Sequence, residues 1–209
     1  MNVPDLATLP AASRSDYQIP QDATVLLFLG RMDVWVKGLN LLVEAFSCLP
    51  PDRFRLVMAG PDWQKGRAEL ERLAGRLGCR DRIRFLGPIY GEKKWALLRM
   101  ADVFVSPSRW EAFSIAQAEA MAVGLPVVTS TGVNLAPVLR EADAALLTPL
   151  EADSLAKAIA TLEGDQERRR ALGNRGRAWM QANCNPDLAG LRFRDFYLSI
   201  LERTRNPKR

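Results

Sequence analysis

Short continuous apolar runs alternate with segments of helical periodicity along this chain. The run Val25–Leu29 ends at Gly30, and such an unbroken run is typical of a parallel strand buried on both faces. Further on, Leu70, Leu73 and Leu77 recur at helical spacing. Because this alternation repeats, we predict an α/β fold: a Rossmann-like parallel sheet with helices on both faces. The predicted strands are 25–29, 54–59, 83–86, 103–105, 125–129 and 144–147, and the predicted helices lie around 38–49, 70–77, 92–100, 112–123, 155–162, 165–183 and 185–203.

The pattern divides the chain into three parts. Residues 1–22 are rich in Pro, Ala, Ser and Asp without periodicity, which predicts a linker or extended lead-in. Residues 23–184 contain the strand and helix alternation and are predicted to form one domain. Asn185-Pro186 is a suitable N-cap and first-turn pair, so residues 185–209 are predicted to form a final helix and tail.

Composition excludes several kinds of chemistry. The chain has 209 residues and no histidine, so it cannot supply an imidazole base. Its three cysteines are scattered and never form C-x-x-C, which argues against a disulfide framework or a zinc site and favours a reducing cytoplasm. No apolar run approaches the roughly 20 residues that span a bilayer, and the first 20 residues lack a signal-peptide pattern.

The net charge of +5 changes this picture little. The triplet Arg168–Arg170 is most simply a solvated helix face, although peripheral contact with a membrane through it stays open as a hypothesis. Nucleic-acid binding is not expected, because no aromatic residues interleave with the basic ones and no known module appears.

Charged residues follow two of the predicted strands. Strand 103–105 is followed by Glu111 and, eight positions later, by Glu119, and open α/β sheets bind ligands at the carboxyl ends of their strands. Eight helical residues span about 12 Å, which disfavours an acid/base pair and favours recognition of hydroxyl groups. Glu111 also suits a helix start for purely structural reasons, whereas Glu119 lies in an apolar helix and needs a partner.

The loop after the first strand carries Gly30, Arg31 and Lys37. A glycine there lets a ligand approach the backbone, and the two cations suit an anionic ligand. The loop lacks both the Walker spacing and G-x-G-x-x-G. From the loop alone, phosphate binding and a surface loop with two solvated cations are equally good interpretations.

Several short segments occur together in one characteristic order. They are Gly30-Arg31 with Lys37-Gly38, Phe85-Leu86-Gly87, Pro107-Ser108, the acids Glu111 and Glu119, and Met121-Ala122 with Gly124 and Pro126-Val127-Val128. In this order they resemble the retaining GT-B glycosyltransferases of glycosyltransferase family 4, over roughly residues 24–200. The resemblance covers only the C-terminal, nucleotide-sugar-binding half of that fold. The N-terminal half, which carries most acceptor contacts in the family, has no counterpart here.

The resemblance implies roles for the charged residues. Arg31 and Lys37 would hold the diphosphate of a UDP- or GDP-linked sugar and stabilise the leaving group, which makes a metal ion or other cofactor unnecessary. Glu111 would contact the hydroxyls of the donor sugar, and Glu119 those of the ribose. We therefore regard Arg31, Lys37 and Glu111 as the catalytic candidates and expect no metal ligands.

The remaining donor contacts implied by the resemblance come from backbone groups and loop edges. Phe113 and Ser114 would offer N–H groups at a helix start, while Gly87 and Ile89 would border the base. The family usually has glycine at the positions of Ala112 and Ser114, so the approach of the sugar is tighter here.

As a function, the resemblance implies transfer of a hexosyl group from a nucleoside diphosphate sugar to a glycan or lipid-linked acceptor. The enzyme would work in the cytoplasm or at the inner face of the membrane, and this domain alone would be inactive. The alternative is a non-catalytic Rossmann-like module that binds a nucleotide or a partner. The joint presence of Arg31, Lys37, Glu111 and Glu119 favours the transferase.

Overall fold

Six parallel strands form one sheet in the order β3-β2-β1-β4-β5-β6. The computed structural model describes residues 12–205, and for 186–188 and 202–205 it describes only the backbone. The chain builds the sheet outward from β1, first to one side and then to the other, so the order reverses between β1 and β4. The strands are β1 Thr24–Leu29, β2 Phe54–Ala59, β3 Ile83–Leu86, β4 Val103–Ser106, β5 Val127–Ser130 and β6 Leu146–Thr148.

Helices cover both faces of this sheet. Successive side chains of a strand point to opposite faces: Leu26 and Phe28 join the core beneath α1, α2 and α6, while Val25, Leu27 and Leu29 join the core beneath α3, α4 and α5. Both sets are buried, which explains why β1 is apolar at consecutive positions. The helices are α1 Leu39–Ser47, α2 Gly66–Arg76, α3 Gly91–Met100, α4 Ile115–Ala122, α5 Ala136–Glu141, α6 Ala152–Ala160, α7 Gln166–Asn183 and α8 Pro186–Arg205.

The predicted fold class is confirmed, and the differences lie in short elements. Helix α5 was not predicted, because six residues are too few to show a helical period. Strand β5 starts at Val127 rather than at 125, since Pro126 cannot donate to a sheet ladder. Strand β6 starts at Leu146, two residues later than predicted, and Ala144 and Ala145 precede it as buried loop residues.

The described part of the predicted lead-in packs against the amino ends of the strands. It contains a 3-10 turn, Arg14–Tyr17, and places Ile19 in the core. The Arg14 guanidinium donates to Asp102 at 2.9 Å, and the same carboxylate accepts the Val25 N–H at 2.8 Å. Residues 1–11 lie outside the described residues.

The arginine triplet at the start of α7 is partly used within the fold. Arg168 and Arg169 donate to the carbonyl oxygens of Thr161 and Leu162, which follow α6. In the part of the chain that the structure describes, no helix combines the length and apolar character needed to cross a membrane.

Candidate functional site

The loops that follow β1 and β4 contact each other at the carboxyl edge of the sheet. Because β1 and β4 are neighbours at the point where the strand order reverses, their loops leave the sheet side by side. The Arg109 N–H donates to the Val36 carbonyl at 2.9 Å. Gly38, in the β1 loop, packs so closely on the β4 loop that a Cβ at Gly38 would lie 2.0 Å from the Pro107 carbonyl oxygen.

This contact brings Lys37 and Glu111 together. The Lys37 ammonium forms a short ion pair with the Glu111 carboxylate, and the two side chains are only 20% and 15% exposed. The backbone of Glu111 is held from a third loop, since the Asn134 N–H donates to its carbonyl at 2.9 Å. The Lys37 ammonium and the Glu111 carboxylate therefore lie side by side at the switch point of the sheet, which is the place between β1 and β4 where the strand order reverses.

Glu119 is buried in α4 and has the partner that its burial requires. The Lys94 ammonium on α3 lies 2.5 Å from the Glu119 carboxylate. Sequence reasoning predicted that a partner was needed but did not identify Lys94, because Lys93 beside it is an equal candidate by composition. Only the three-dimensional structure, which places the Lys94 side chain against Glu119, distinguishes the two lysines.

Arg31 does not join the Lys37–Glu111 pair. Its guanidinium lies over the Trp63 ring, 4.3 Å from the centroid, and pairs with Asp33 at 3.4 Å. Its side chain is nearly half exposed. Arg31 therefore occupies the β2 side of the loop, next to the site formed by Lys37 and Glu111 rather than inside it.

The start of α4 presents the predicted backbone donors. Ser114 is the N-cap, and its hydroxyl accepts the Gln117 N–H at 3.3 Å. Phe113 is nearly half exposed. Among the described residues, no acceptor is found for the N–H groups of Phe113 and Ser114. Such unsatisfied N–H groups at a helix start suit an anion or a hydroxyl oxygen.

The remaining predicted residues lie along the same edge. The N–H of Gly30 donates to Ala59 at 3.0 Å, and the Gly87 carbonyl accepts the Gly60 N–H at 3.1 Å, so these positions fix neighbouring strand ends. Ile89 packs against the core on the α3 and α4 side. It lies on the same face of the sheet as Lys94 and Glu119.

Arg109 is a residue that sequence reasoning did not single out. Its guanidinium stacks on the Trp35 ring at 3.9 Å and donates to the Trp35 carbonyl at 2.7 Å and to Asn40 Oδ1 at 3.0 Å. The Arg109 side chain therefore links the β4 loop to the β1 loop and to the first turn of α1. Its position between Trp110 and Ser108 in sequence gives no sign of this role.

Curated glycosyltransferases share sequence with this chain. The D-inositol 3-phosphate glycosyltransferase of Xylanimonas cellulosilytica is 35% identical over 84% of this chain and 42% of its own length. The phosphatidyl-myo-inositol mannosyltransferase of Mycobacterium tuberculosis is 34% identical over 81% of this chain and 46% of its own length. The chain thus spans less than half the length of these curated relatives.

Solved structures share the fold. Sucrose-phosphate synthase from Thermosynechococcus elongatus superimposes with a TM-score of 0.80 at 30% identity, over 95% of this chain and 51% of the other. HepE of Anabaena, solved with UDP-glucose, superimposes with a TM-score of 0.76 at 24% identity, over 85% of this chain and 49% of the other. Residues 11–179 match the family described as Glycosyl transferases group 1. This chain belongs to that family.

Proposed function

We propose that this chain is the donor-binding domain of a retaining, metal-independent glycosyltransferase of family 4 that moves a hexosyl group from a nucleoside diphosphate sugar. The observation that carries the proposal is the Lys37–Glu111 pair, formed between the β1 and β4 loops at the switch point of the sheet. Open α/β sheets bind their ligands at this point. A diphosphate needs a cation there, and a sugar needs an acceptor for its hydroxyls.

Each group in the site has a distinct part in the proposed reaction. As the bond between sugar and diphosphate breaks, negative charge grows on the diphosphate, and the Lys37 ammonium stabilises it. Arg31 adds a second positive charge from the β2 side. Glu111 accepts hydrogen bonds from the sugar hydroxyls and orients the sugar, while the N–H groups of Phe113 and Ser114 bind oxygen atoms of the sugar or phosphate.

The buried Lys94–Glu119 pair suits the ribose end of the donor. The Glu119 carboxylate has lone pairs beyond the one that Lys94 occupies, so it can accept hydrogen bonds from two ribose hydroxyls. The nucleotide would then extend from Lys37 along the α3 and α4 side, with Gly87 and Ile89 bordering the base.

The acceptor and the cellular setting are part of the proposal as well. We infer a glycan or lipid-linked acceptor, used in the cytoplasm or at the inner face of the membrane. The mannosyltransferase relative, which is named for phosphatidyl-myo-inositol, supports a lipid-linked acceptor. We also infer that transfer needs a second domain, since this chain matches less than half of each relative. The non-catalytic module is less favoured, because such a module has no need for a cation and a carboxylate paired at the switch point.

Titration calorimetry of the chain with UDP, GDP, ADP and their glucose or mannose conjugates tests the proposal. We expect one nucleotide to bind, with UDP first in the series because HepE, which has this fold, was solved with UDP-glucose. Glu119→Ala should weaken that binding by about 1–3 kcal/mol, the usual cost of removing one partner from a buried polar set.

Glu44→Ala on α1 is the matched control, because it removes the same charge and no site contact. Equal weakening by both variants would show a general charge effect instead of ribose recognition. If the unaltered chain binds none of these nucleotides, the proposal that it holds the donor by itself is wrong.

A further inference from the structure

We propose a second binding site in this chain, a basin between Trp35 and Trp63 that binds a neutral saccharide. The basin has a volume of about 380 Å³ and lies between the β1 loop, the β2 loop and the first turns of α1 and α2. That volume falls within the range of small-molecule sites. Its lining residues are Asp33, Val34, Trp35, Asn40, Trp63, Gln64, Gly66 and Glu69.

The two tryptophans are exposed yet held in defined orientations. Trp35 is 69% exposed and Trp63 is 43% exposed, which is unusual for the largest apolar side chains. Each ring lies against one guanidinium: Trp35 against Arg109 and Trp63 against Arg31. Cation–π contact fixes a ring without burying it. The basin therefore offers two flat aromatic surfaces that need not reorganise when a ligand binds.

The polar groups of the basin suit hydroxyls. Asn40 uses its Oδ1 to accept from Arg109, which leaves its amide N–H groups as donors toward the basin side of α1. Among the described residues, the Gln64 amide and the Glu69 carboxylate have no hydrogen-bond or ion-pair partner. Amides and carboxylates can bond adjacent hydroxyls, and the C–H faces of a sugar ring can pack on an indole.

The lining of the basin supplies hydrogen-bond acceptors for hydroxyl groups. It includes two carboxylates, Asp33 and Glu69, and no lysine or arginine. Two guanidinium groups border the lining and are engaged with it: Arg31 pairs with Asp33 and stacks on Trp63, and Arg109 donates to Asn40 and stacks on Trp35. A neutral saccharide would find acceptors for its hydroxyls in the two carboxylates.

The basin borders the proposed donor site at Arg31, which stacks on Trp63 and pairs with Asp33. Lys94, Glu119 and Ile89, at the proposed nucleoside end, lie on the α3 and α4 side of the sheet, whereas Asn40 and Glu69 lie on the α1 and α2 side. A nucleotide that extends from Lys37 along the α3 and α4 side would therefore leave the α1 and α2 side of the basin accessible.

The floor of the basin is formed by direct contacts between the β1 loop, the β2 loop and α2. The Met32 N–H donates to Pro61 at 2.9 Å, which joins the β1 and β2 loops. A Cβ at Gly66 would lie 2.0 Å from the Met32 carbonyl oxygen, so α2 begins in direct contact with the β1 loop. Gln64 and Lys65 both have positive φ, a strained conformation that this contact maintains.

A saccharide in this basin would lie one loop away from the proposed diphosphate site. We assign it as the saccharide portion of the acceptor, and that assignment rests on the proposed function. The binding site itself stands on the geometry alone.

Saturation-transfer-difference NMR of the chain with maltotriose, cellotriose and α-mannobiose tests the site. We expect ring C–H protons of at least one saccharide to receive saturation, because they would pack on the indoles. Trp35→Ala and Trp63→Ala should each weaken binding by about threefold to tenfold, the value of one aromatic contact. Trp110→Ala is the control, since Trp110 is 60% exposed but lies outside the basin.

UDP titration of the same samples separates this inference from the proposed function. A chain that binds UDP but none of the three saccharides would overturn the saccharide site and leave the donor domain intact. Saccharide signals that persist in both Trp35→Ala and Trp63→Ala would place binding elsewhere and would also overturn it. Saccharide binding lost in these variants, in a chain that binds no nucleotide, would support the basin and contradict the donor proposal.

Discussion

The contact between the β1 and β4 loops depends on the absence of a side chain at Gly38. This residue has φ +64°, a left-handed conformation, and a Cβ there would lie 2.0 Å from the Pro107 carbonyl oxygen and 3.0 Å from the Pro107 carbonyl carbon. Gly38→Ala would therefore force the two loops apart by about 1 Å, since carbon atoms do not approach carbonyl oxygens closer than about 3 Å. Lys37 is the preceding residue, so the same movement would misalign it with Glu111.

Gly78 provides a matched control for the conformational cost. It has φ +66°, and a Cβ there would meet no atom within 4 Å. Gly78→Ala should therefore cost only the left-handed penalty, about 1 kcal/mol in the free energy of unfolding. Gly38→Ala should cost that amount plus about 1–3 kcal/mol for overpacking against backbone that cannot rotate away.

Urea denaturation of both variants measures the difference directly, because the left-handed penalty cancels. Calorimetry with UDP adds a functional measure: binding should weaken about tenfold in Gly38→Ala, which loses the position of one charged group worth about 1.4 kcal/mol. Gly78→Ala should bind as the unaltered chain does. If the two variants lose the same stability, the close approach of the loops does not exist in solution and the argument built on it is wrong.

Two further predictions concern single side chains. Glu111→Gln should make UDP bind about twofold to fivefold more tightly in calorimetry, because it releases Lys37 and removes an anion beside the diphosphate. The control Glu44→Gln should leave the affinity for UDP unchanged. Weaker UDP binding in Glu111→Gln would refute the reasoning. Burial raises the pKa of the Cys79 thiol, so a disulfide reagent at neutral pH should modify exposed Cys48 quickly and Cys79 only after unfolding. Rapid modification that persists when both Cys48 and the half-buried Cys184 are replaced by serine would contradict this.

The sheet could be predicted from the sequence because its strands are buried on both faces. Val25–Leu29 shows an uninterrupted apolar run for that reason, and glycines mark the strand ends where loops turn. The order of the strands was not predicted, because right-handed crossovers fix the hand of each connection but not the side of the sheet on which the next strand is added. Helix α5 escaped prediction because six residues in a loop carry no periodic signal.

The sequence singled out candidate residues for the site but did not predict their contacts. The pattern identified Lys37, Glu111 and Glu119, while Lys94 and Arg109 emerged only from the packing of separate elements. A single lysine or arginine on a helix or loop resembles any solvated charge. Its role depends on which side chain lies opposite in space, and sequence spacing does not contain that information.

The Lys37–Glu111 pair has a consequence for how a donor binds as a whole. A diphosphate can take over the Lys37 ammonium, but Glu111 then remains as a carboxylate beside an anion, which is unfavourable unless hydroxyl groups donate to it. In the proposed function, the sugar of the donor would supply those hydroxyls. UDP alone would then meet a repulsion that a UDP-sugar relieves, so we expect Glu111 to favour the intact donor over the product nucleotide. The sign of the Glu111→Gln prediction follows from this, since glutamine keeps an acceptor oxygen but removes the negative charge.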